Sequence, residues 1–140
     1  VSFSTLAADI TTSGTQTYAG AVTLSGGDRV LTGSTVNTQS TLAGGNNALT
    51  ITGAADIDGA LSGLTALSIT GASNIGADIT TTGTQTYAGA VTLSGGDRTL
   101  TASTVNTQST LAGGNNALTI TGAADINGAF TGITNLSISG

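Results

Sequence analysis

Paired carboxylates are the residues of this sequence that come closest to a reactive constellation. Asp56 and Asp58 flank Ile57, and the second half of the chain has Asp125 and Asn127 at the matching positions. Because alternate residues of a strand share one face, we expect Asp56 and Asp58 to point outward together. We predict no bound cofactor and no metal site; the alternative is a weak surface calcium site, because Ca²⁺ favours clustered oxygen ligands.

Glycan cleavage is the enzymatic alternative for these acids, since a pair of carboxylates can hydrolyse a glycosidic bond. However, one acid of the pair becomes Asn127 in the second copy, and the chain has only four aromatic residues. It also lacks Cys, His, Lys and Glu, which excludes a thiol nucleophile, a His general base, a disulfide framework and a typical zinc site. We therefore predict that the chain has no catalytic residues and is not an enzyme.

Two Asp-Arg pairs, Asp28-Arg29 and Asp97-Arg98, supply all the cations of a chain with a net charge of −5. Too few positive groups are present to neutralise phosphates, so no nucleic-acid partner is expected. No apolar run reaches the roughly 18 residues of a membrane helix, so no membrane insertion is expected. We expect the two pairs to lie on exposed turns; the alternative is a charged spot that recognises a partner.

Outward hydroxyls form the candidate surface site of the sequence. Short apolar–polar–apolar segments predict strands whose outward positions are Thr or Ser. If these strands stack, their hydroxyls form two parallel ladders, an array comparable to that of ice-binding solenoids; the alternative is that Thr simply favours strands. The predicted ladder residues are Thr23, Ser25, Thr50, Thr52, Ser68, Thr70, Thr92, Ser94, Thr119, Thr121, Ser137 and Ser139.

A tandem duplication underlies these patterns. Residues 9–71 match residues 78–140 at a constant offset of 69, with 54 identities in 63 pairs and no gap. We divide the chain into a single β-solenoid segment in which 1–8 end a preceding coil, 9–77 form repeat 1 and 78–140 form repeat 2. Because the chain begins with Val1 rather than Met, we expect it to be an excerpt of a longer repeat array.

The alternating segments define the predicted fold. They begin at residues 22, 49, 67, 91, 118 and 136, so three of them occur in each 69-residue unit. The many Gly and Thr residues disfavour helix, and Gly-Gly pairs at 26–27, 44–45, 95–96 and 113–114 suit corners with positive φ. We predict an all-β parallel β-helix (β-solenoid) of about six coils with 18–27 residues each. By the strand spacing, it would be a rod of roughly 29 Å.

The string from Thr15 to Leu24, repeated from Thr84 to Leu93, resembles the repeats of very large bacterial surface proteins. Leu-Thr-Ile-Thr-Gly at 49–53 and 118–122 is similar to the same repeats. These proteins are the filamentous-haemagglutinin-like and autotransporter-type adhesins, which have right-handed parallel β-helix shafts. The resemblance implies secretion, an extracellular or cell-surface location and a structural role in adhesion or matrix.

From the fold and the resemblance together we expect a stiff shaft or a self-assembling filament. Its expected partners are neighbouring repeats or identical subunits, joined by end-to-end β-stacking, and a host, matrix or glycan surface. The first and last coils expose strand edges, which is why stacking is expected there.

Overall fold

The computed structural model describes residues 3–140, and these residues form strands and turns only. Alternation of inward Leu, Ile or Val with outward Thr, Ser or Ala produces the strands, because successive side chains of a strand point to opposite faces. The all-β prediction is confirmed. The strands are β1 Phe3–Leu6, β2 Ile10–Thr11, β3 Gln16–Tyr18, β4 Ala21–Leu24, β5 Arg29–Thr38, β6 Leu42–Ile57, β7 Leu61–Ile69, β8 Ser73–Ile75, β9 Ile79–Thr81, β10 Gln85–Tyr87, β11 Val91–Leu93, β12 Arg98–Thr107, β13 Leu111–Ile126 and β14 Phe130–Ile138.

All strand pairings within residues 3–140 are parallel, and they stack the chain into a solenoid with three faces. The longer strands continue around a corner and so contribute to two or three faces. Face 1 contains 3–6, 21–24, 42–43, 61–64, 79–81, 98–101, 118–121 and 136–138. Face 2 contains 10–11, 29–32, 49–52, 67–69, 85–87, 104–107 and 123–126. Face 3 contains 16–18, 35–38, 54–57, 73–75, 91–93, 111–112 and 130–131.

The β-solenoid prediction is confirmed, with smaller and more numerous turns than expected. A turn takes 18 residues where Phe3 pairs with Ala21 and 21 where Ile79 pairs with Leu100. The described residues make about seven turns instead of six, and the predicted upper limit of 27 residues per coil is wrong. At about 4.8 Å per turn the shaft is about 34 Å long.

The 69-residue repeat does not correspond to a whole number of turns. From Val22 to its counterpart Val91 the chain passes eleven strand segments, and three segments make one turn. The repeat therefore spans three and two-thirds turns. Val22 lies on face 1, where it pairs with Leu42, whereas Val91 lies on face 3, where it pairs with Leu111. Equivalent residues of the two copies thus face directions a third of a turn apart.

The hydrophobic core is the interior of the shaft, where inward side chains of successive turns lie on one another. Inward positions predicted from the sequence are buried in the inner turns, including Leu31, Val36, Ile57 and Ile79, each 0% exposed, whereas the inward Ile126 of the last turn is 38% exposed. Each buried aliphatic side chain contributes about 1.5–3 kcal/mol relative to its exposed state, and the next turn provides the cover. Stability therefore depends on neighbouring turns rather than on distant contacts.

Glycines turn the chain at the corners where the backbone must adopt positive φ. Gly26 and Gly27 have φ of 72° and 122°, and Gly45 has 60°. Gly44 does not have positive φ; it is required because an added Cβ would lie 2.6 Å from the carbonyl oxygen of Gly63 in the next turn. The prediction of positive φ at the Gly-Gly pairs is thus confirmed for six of the eight glycines and is wrong for Gly44 and Gly113.

Candidate functional site

The twelve predicted hydroxyl residues do not form one array. Their placement follows from the fractional repeat, because each copy presents its Thr and Ser residues to different sides of the shaft. The single pair of continuous ladders is a wrong prediction. Face 1 and its edge carry Thr23, Ser25, Thr119, Thr121, Ser137 and Ser139, face 2 and its edge carry Thr50, Thr52, Ser68 and Thr70, and face 3 and its edge carry Thr92 and Ser94.

Two smaller hydroxyl patches result, one from each copy. On face 2, Thr32 pairs with Thr52, and Thr50 pairs with Ser68. These rows, together with Val30 and Thr70, form the face-2 patch of three turns. The sequence pattern missed Thr32 because Arg29 and Val30 before it break the apolar–polar alternation.

The second copy forms the equivalent face-1 patch. Thr99 pairs with Thr119 and Thr101 with Thr121, and Ser137 stacks on Thr119 in the final described turn. Thr99-Leu100-Thr101 has the alternation used to identify the other rows, so Thr99 and Thr101 could have been found from the sequence. Each patch is three rows deep, about 10 Å between its outer rows.

Asp56 lies outward on face 3 between the amides of two neighbouring turns. Asn37 Nδ2 donates to Asp56 Oδ2 at 3.3 Å, and Asn74 Nδ2 donates to Asp56 Oδ1 at 2.8 Å. Asp58 is exposed at the corner after the same strand, as the sequence predicted. Both oxygens of Asp56 are therefore held by this turn-to-turn ladder of amide, carboxylate and amide.

Its counterpart Asp125 lies on face 2 in the last described turn. Asn106 Nδ2 donates to one carboxylate oxygen at 3.2 Å, and Asn127 Nδ2 donates to the other at 3.1 Å. The second amide on Asp56 is that of Asn74 in the following turn, whereas the second amide on Asp125 is that of Asn127 in the same turn, at the position of Asp58. The change that seemed to remove an acid pair preserves the hydrogen bonding of the carboxylate.

Four other aspartates join successive turns through the backbone. In each case a carboxylate oxygen accepts a hydrogen bond from a main-chain N–H about twenty residues later, one turn along the shaft. These groups satisfy backbone donors at corners, where the strand ladders are interrupted. The bonds run to Asp9 from the N–H of Val30 at 2.9 Å, to Asp78 from Thr99 at 2.9 Å, to Asp28 from Ala48 at 2.8 Å and to Asp97 from Ala117 at 2.8 Å.

The two arginines fix corners rather than forming exposed pairs with the preceding Asp. Arg98 Nη1 donates to the carbonyl of Gly76 in the previous turn at 2.7 Å, and Nε donates to Gly96 at 3.2 Å. Its carboxylate neighbour is Asp78 at 3.9 Å, and its side chain is only 16% exposed. Arg29 repeats this arrangement. The expectation of solvated Asp-Arg pairs is therefore wrong.

An inward Gln and Tyr form the main polar network of the interior. Gln85 Nε2 donates to the carbonyls of Ile79 and Thr101 at 3.1 and 2.9 Å, and Tyr87 Oη donates to Gln85 Oε1 at 2.8 Å. Burial raises the pKa of the Tyr87 hydroxyl far above its ordinary value. The pKa of Tyr18, in the first copy, is also raised by burial.

Residues 3–140 contain no detected pocket, and no group of three or more acidic, His or Cys side chains is placed to hold a metal ion. Within the same residues no helix is long and apolar enough to cross a membrane. Comparisons of the chain with protein-family models, with curated proteins and with solved structures found no match. The chemistry seen in the described residues is therefore that of turn-to-turn hydrogen bonding and outward hydroxyl patches.

Proposed function

We propose that the chain is a structural, non-catalytic shaft segment of a secreted bacterial cell-surface fibre or adhesin, with an extracellular role in adhesion or matrix. The observation that carries the proposal is the use of polar side chains to join turns. Aspartates and arginines that would form a site in another fold bond to the backbone of neighbouring turns. Such a rod spaces or displays whatever is attached to it.

The mechanical basis of this function is the repetition of one interface. Each turn covers the core of the turn before it and leaves its own edge for the next, so an added repeat lengthens the shaft with the contacts already present. The Asp56 ladder and the Arg98 bonds oppose sliding of one turn over another, because a one-residue slip would separate these partners.

The alternatives have weaker support from the geometry. An ice- or surface-binding solenoid would use the two hydroxyl patches, yet they are short and lie on faces a third of a turn apart. A glycan-acting protein would need a carboxylate available to the leaving group. Asp56 instead has both oxygens bonded to amides. We therefore favour the shaft.

Rigidity can be measured between Thr17 and Thr131, which lie on face 3 six turns apart. With spin labels on Thr17→Cys and Thr131→Cys, and dilution by unlabelled chain, we expect one narrow distance distribution near 29 Å along the axis. A broad distribution would contradict the proposed shaft. Antibody labelling of intact source cells tests location, and labelling that requires lysis would contradict a surface role.

A further inference from the structure

The junction between the two copies inside the chain is a template for contact between chains. Residues 54–69 are covered by residues 72–87 of the next turn, through pairings on all three faces. Residues 123–138 repeat 54–69, and residues 3–18 repeat 72–87, each with 11 identities in 16 positions. The last turn of one chain and the first turn of another are thus copies of two surfaces that already fit together.

Residues in the first and last described turns are more exposed than their counterparts in the internal junction. Tyr87 is fully buried in the internal junction, whereas its counterpart Tyr18 in the first turn is only partly buried. At the other end, three aliphatic residues are exposed although their internal counterparts are covered. The exposed fractions are 38% for Ile126 against 0% for Ile57, 42% for Leu136 against 1% for Leu67, and 40% for Ile138 against 0% for Ile69.

Two of the differing positions leave the contact intact, whereas Ala7 in place of Gly76 requires a small shift, because a Cβ at Gly76 would lie 3.1 Å from the Ile57 carbonyl oxygen. Asn74, which donates to Asp56 internally, corresponds to Thr5, but Asp125 already has amides from Asn106 and Asn127. Ala72 is exposed in the internal junction, so the larger Phe3 at its position points away from the core.

We propose that two copies of this chain dock head to tail, with the first turn of one continuing the last turn of the other in the register of the internal junction. This inference rests on the shaft function proposed above and specifies its partner. By analogy with the internal pairings, Ser4 stacks on Ala124, Leu6 on Ile126, Thr17 on Ser137 and Tyr18 on Ile138.

The register fixes the symmetry of the resulting filament. Residues 3–140 contribute 22 strand segments, so with three segments per turn a subunit of these residues adds seven and one-third turns. Successive subunits are therefore rotated by about a third of a turn and advance by about 35 Å. Every third subunit therefore has the same orientation around the filament axis.

Cysteine pairs test the register directly, because the natural chain has no Cys. Stacked residues lie about 4.8 Å apart, within the Cα–Cα range of a disulfide. Thr17→Cys with Ser137→Cys should give a ladder of disulfide-linked oligomers. The matched control, Thr5→Cys with Ser139→Cys, joins residues of one face-1 column that meet only if subunits stack without rotation, and should give no ladder. A ladder from the control alone, or dimers from Ser137→Cys alone, would overturn the proposed register.

A charge at the joint tests the docking itself. Leu136→Asp buries a carboxylate in the joint and should raise the concentration needed for assembly by more than about tenfold. Thr92→Asp, on the exposed middle of face 3, is the control and should leave assembly unchanged. Equal assembly by both variants, with the β-sheet circular dichroism of the parent, would overturn the proposal.

Cryo-electron microscopy of the parent chain separates this proposal from the one on which it rests. Filaments with the predicted rise and rotation support both. Discrete rods of about 34 Å at the highest soluble concentration overturn the docking and leave the shaft intact. A chain without β-sheet circular dichroism overturns both proposals.

Discussion

Removing one hydroxyl from the interior network gives the sharpest energetic prediction. Tyr87→Phe keeps the ring that fills the core but deletes the donor to Gln85 Oε1. Gln85 and Tyr87 are both 0% exposed, so the amide oxygen is left in the interior with its donor removed. Loss of a partner for a buried polar atom costs about 1–3 kcal/mol, and we expect Tyr87→Phe to lower the free energy of unfolding by that amount.

The duplication supplies the control. Tyr18→Phe deletes the equivalent bond to Gln16, also 2.8 Å long, but Tyr18 is only partly buried in the first turn. Water can replace the lost donor more easily there, so the expected loss is about 0.5–1.5 kcal/mol. The double variant Gln85→Leu with Tyr87→Phe should lose more stability than Tyr87→Phe alone, because it also removes the Gln85 Nε2 donor from the carbonyls of Ile79 and Thr101.

Guanidinium denaturation in the assembly-blocking Leu136→Asp background, followed by circular dichroism, measures these differences with Tyr18 left uncovered, and amide hydrogen exchange shows which turns are affected. Exchange is needed because a solenoid can open turn by turn instead of unfolding in one step. Equal losses for Tyr87→Phe and Tyr18→Phe, or a loss below about 0.5 kcal/mol at Tyr87, would refute the inferred cost of the unpaired amide oxygen.

Three further predictions follow from corners, guanidinium bonds and titration. Gly53→Ala should destabilise the chain by more than about 2 kcal/mol in denaturation, because its φ is +122° and the new Cβ would clash with the Gly33 carbonyl oxygen. Gly33→Ala is the control and should cost less, because its Cβ requires only a small shift of the Gly14 carbonyl oxygen, 2.9 Å away, and Ala102 occupies that position in the second copy. Arg98→Gln should cost about 1.5–3 kcal/mol with little dependence on salt, because the guanidinium bonds to carbonyls in a largely buried corner; a strong salt dependence would indicate a surface ion pair instead. The pKa of Tyr87 is raised by burial, so the unfolded state loses its tyrosine proton first, and stability should be full below pH 10 and fall by about 1.4 kcal/mol per pH unit above it; stability that is constant or rising there would contradict the burial of this hydroxyl.

The fold class could be predicted from the sequence because six segments alternate clearly between apolar and polar residues. Other segments do not show this alternation, and two of them illustrate why. Gln16–Tyr18 has an inward Gln in place of an apolar residue, and its role depends on carbonyls of Ile10 and of the next turn. Leu42 is an isolated apolar residue before Gly44, so it resembled part of a loop. Three alternating segments per repeat, taken as one per coil, predict three coils, whereas the eleven strand segments of the repeat make three and two-thirds turns.

The candidate surface depended on that count, which explains why the hydroxyl prediction was wrong in arrangement. Alternation identifies which residues point outward but not which turns lie beside each other. Three whole turns would contain nine strand segments, but each repeat contains eleven. Thr92 therefore lies on face 3, whereas its counterpart Thr23 lies on face 1. Likewise, nothing in the local sequence connects Arg98 with Gly76, because their contact exists only once the turn length is known.

The advance of the shaft by three and two-thirds turns for each repeat is the feature on which the hydroxyl patches and the proposed filament both depend. The direct measurement is the length of engineered chains by cryo-electron microscopy. These chains carry two, four or six copies of residues 9–77, followed by residues 78–140 with Leu136→Asp to block assembly. We predict straight rods that lengthen by about 18 Å for each added repeat. An increment near 14 Å would mean three turns per repeat, and flexible chains with no fixed increment would contradict the shaft.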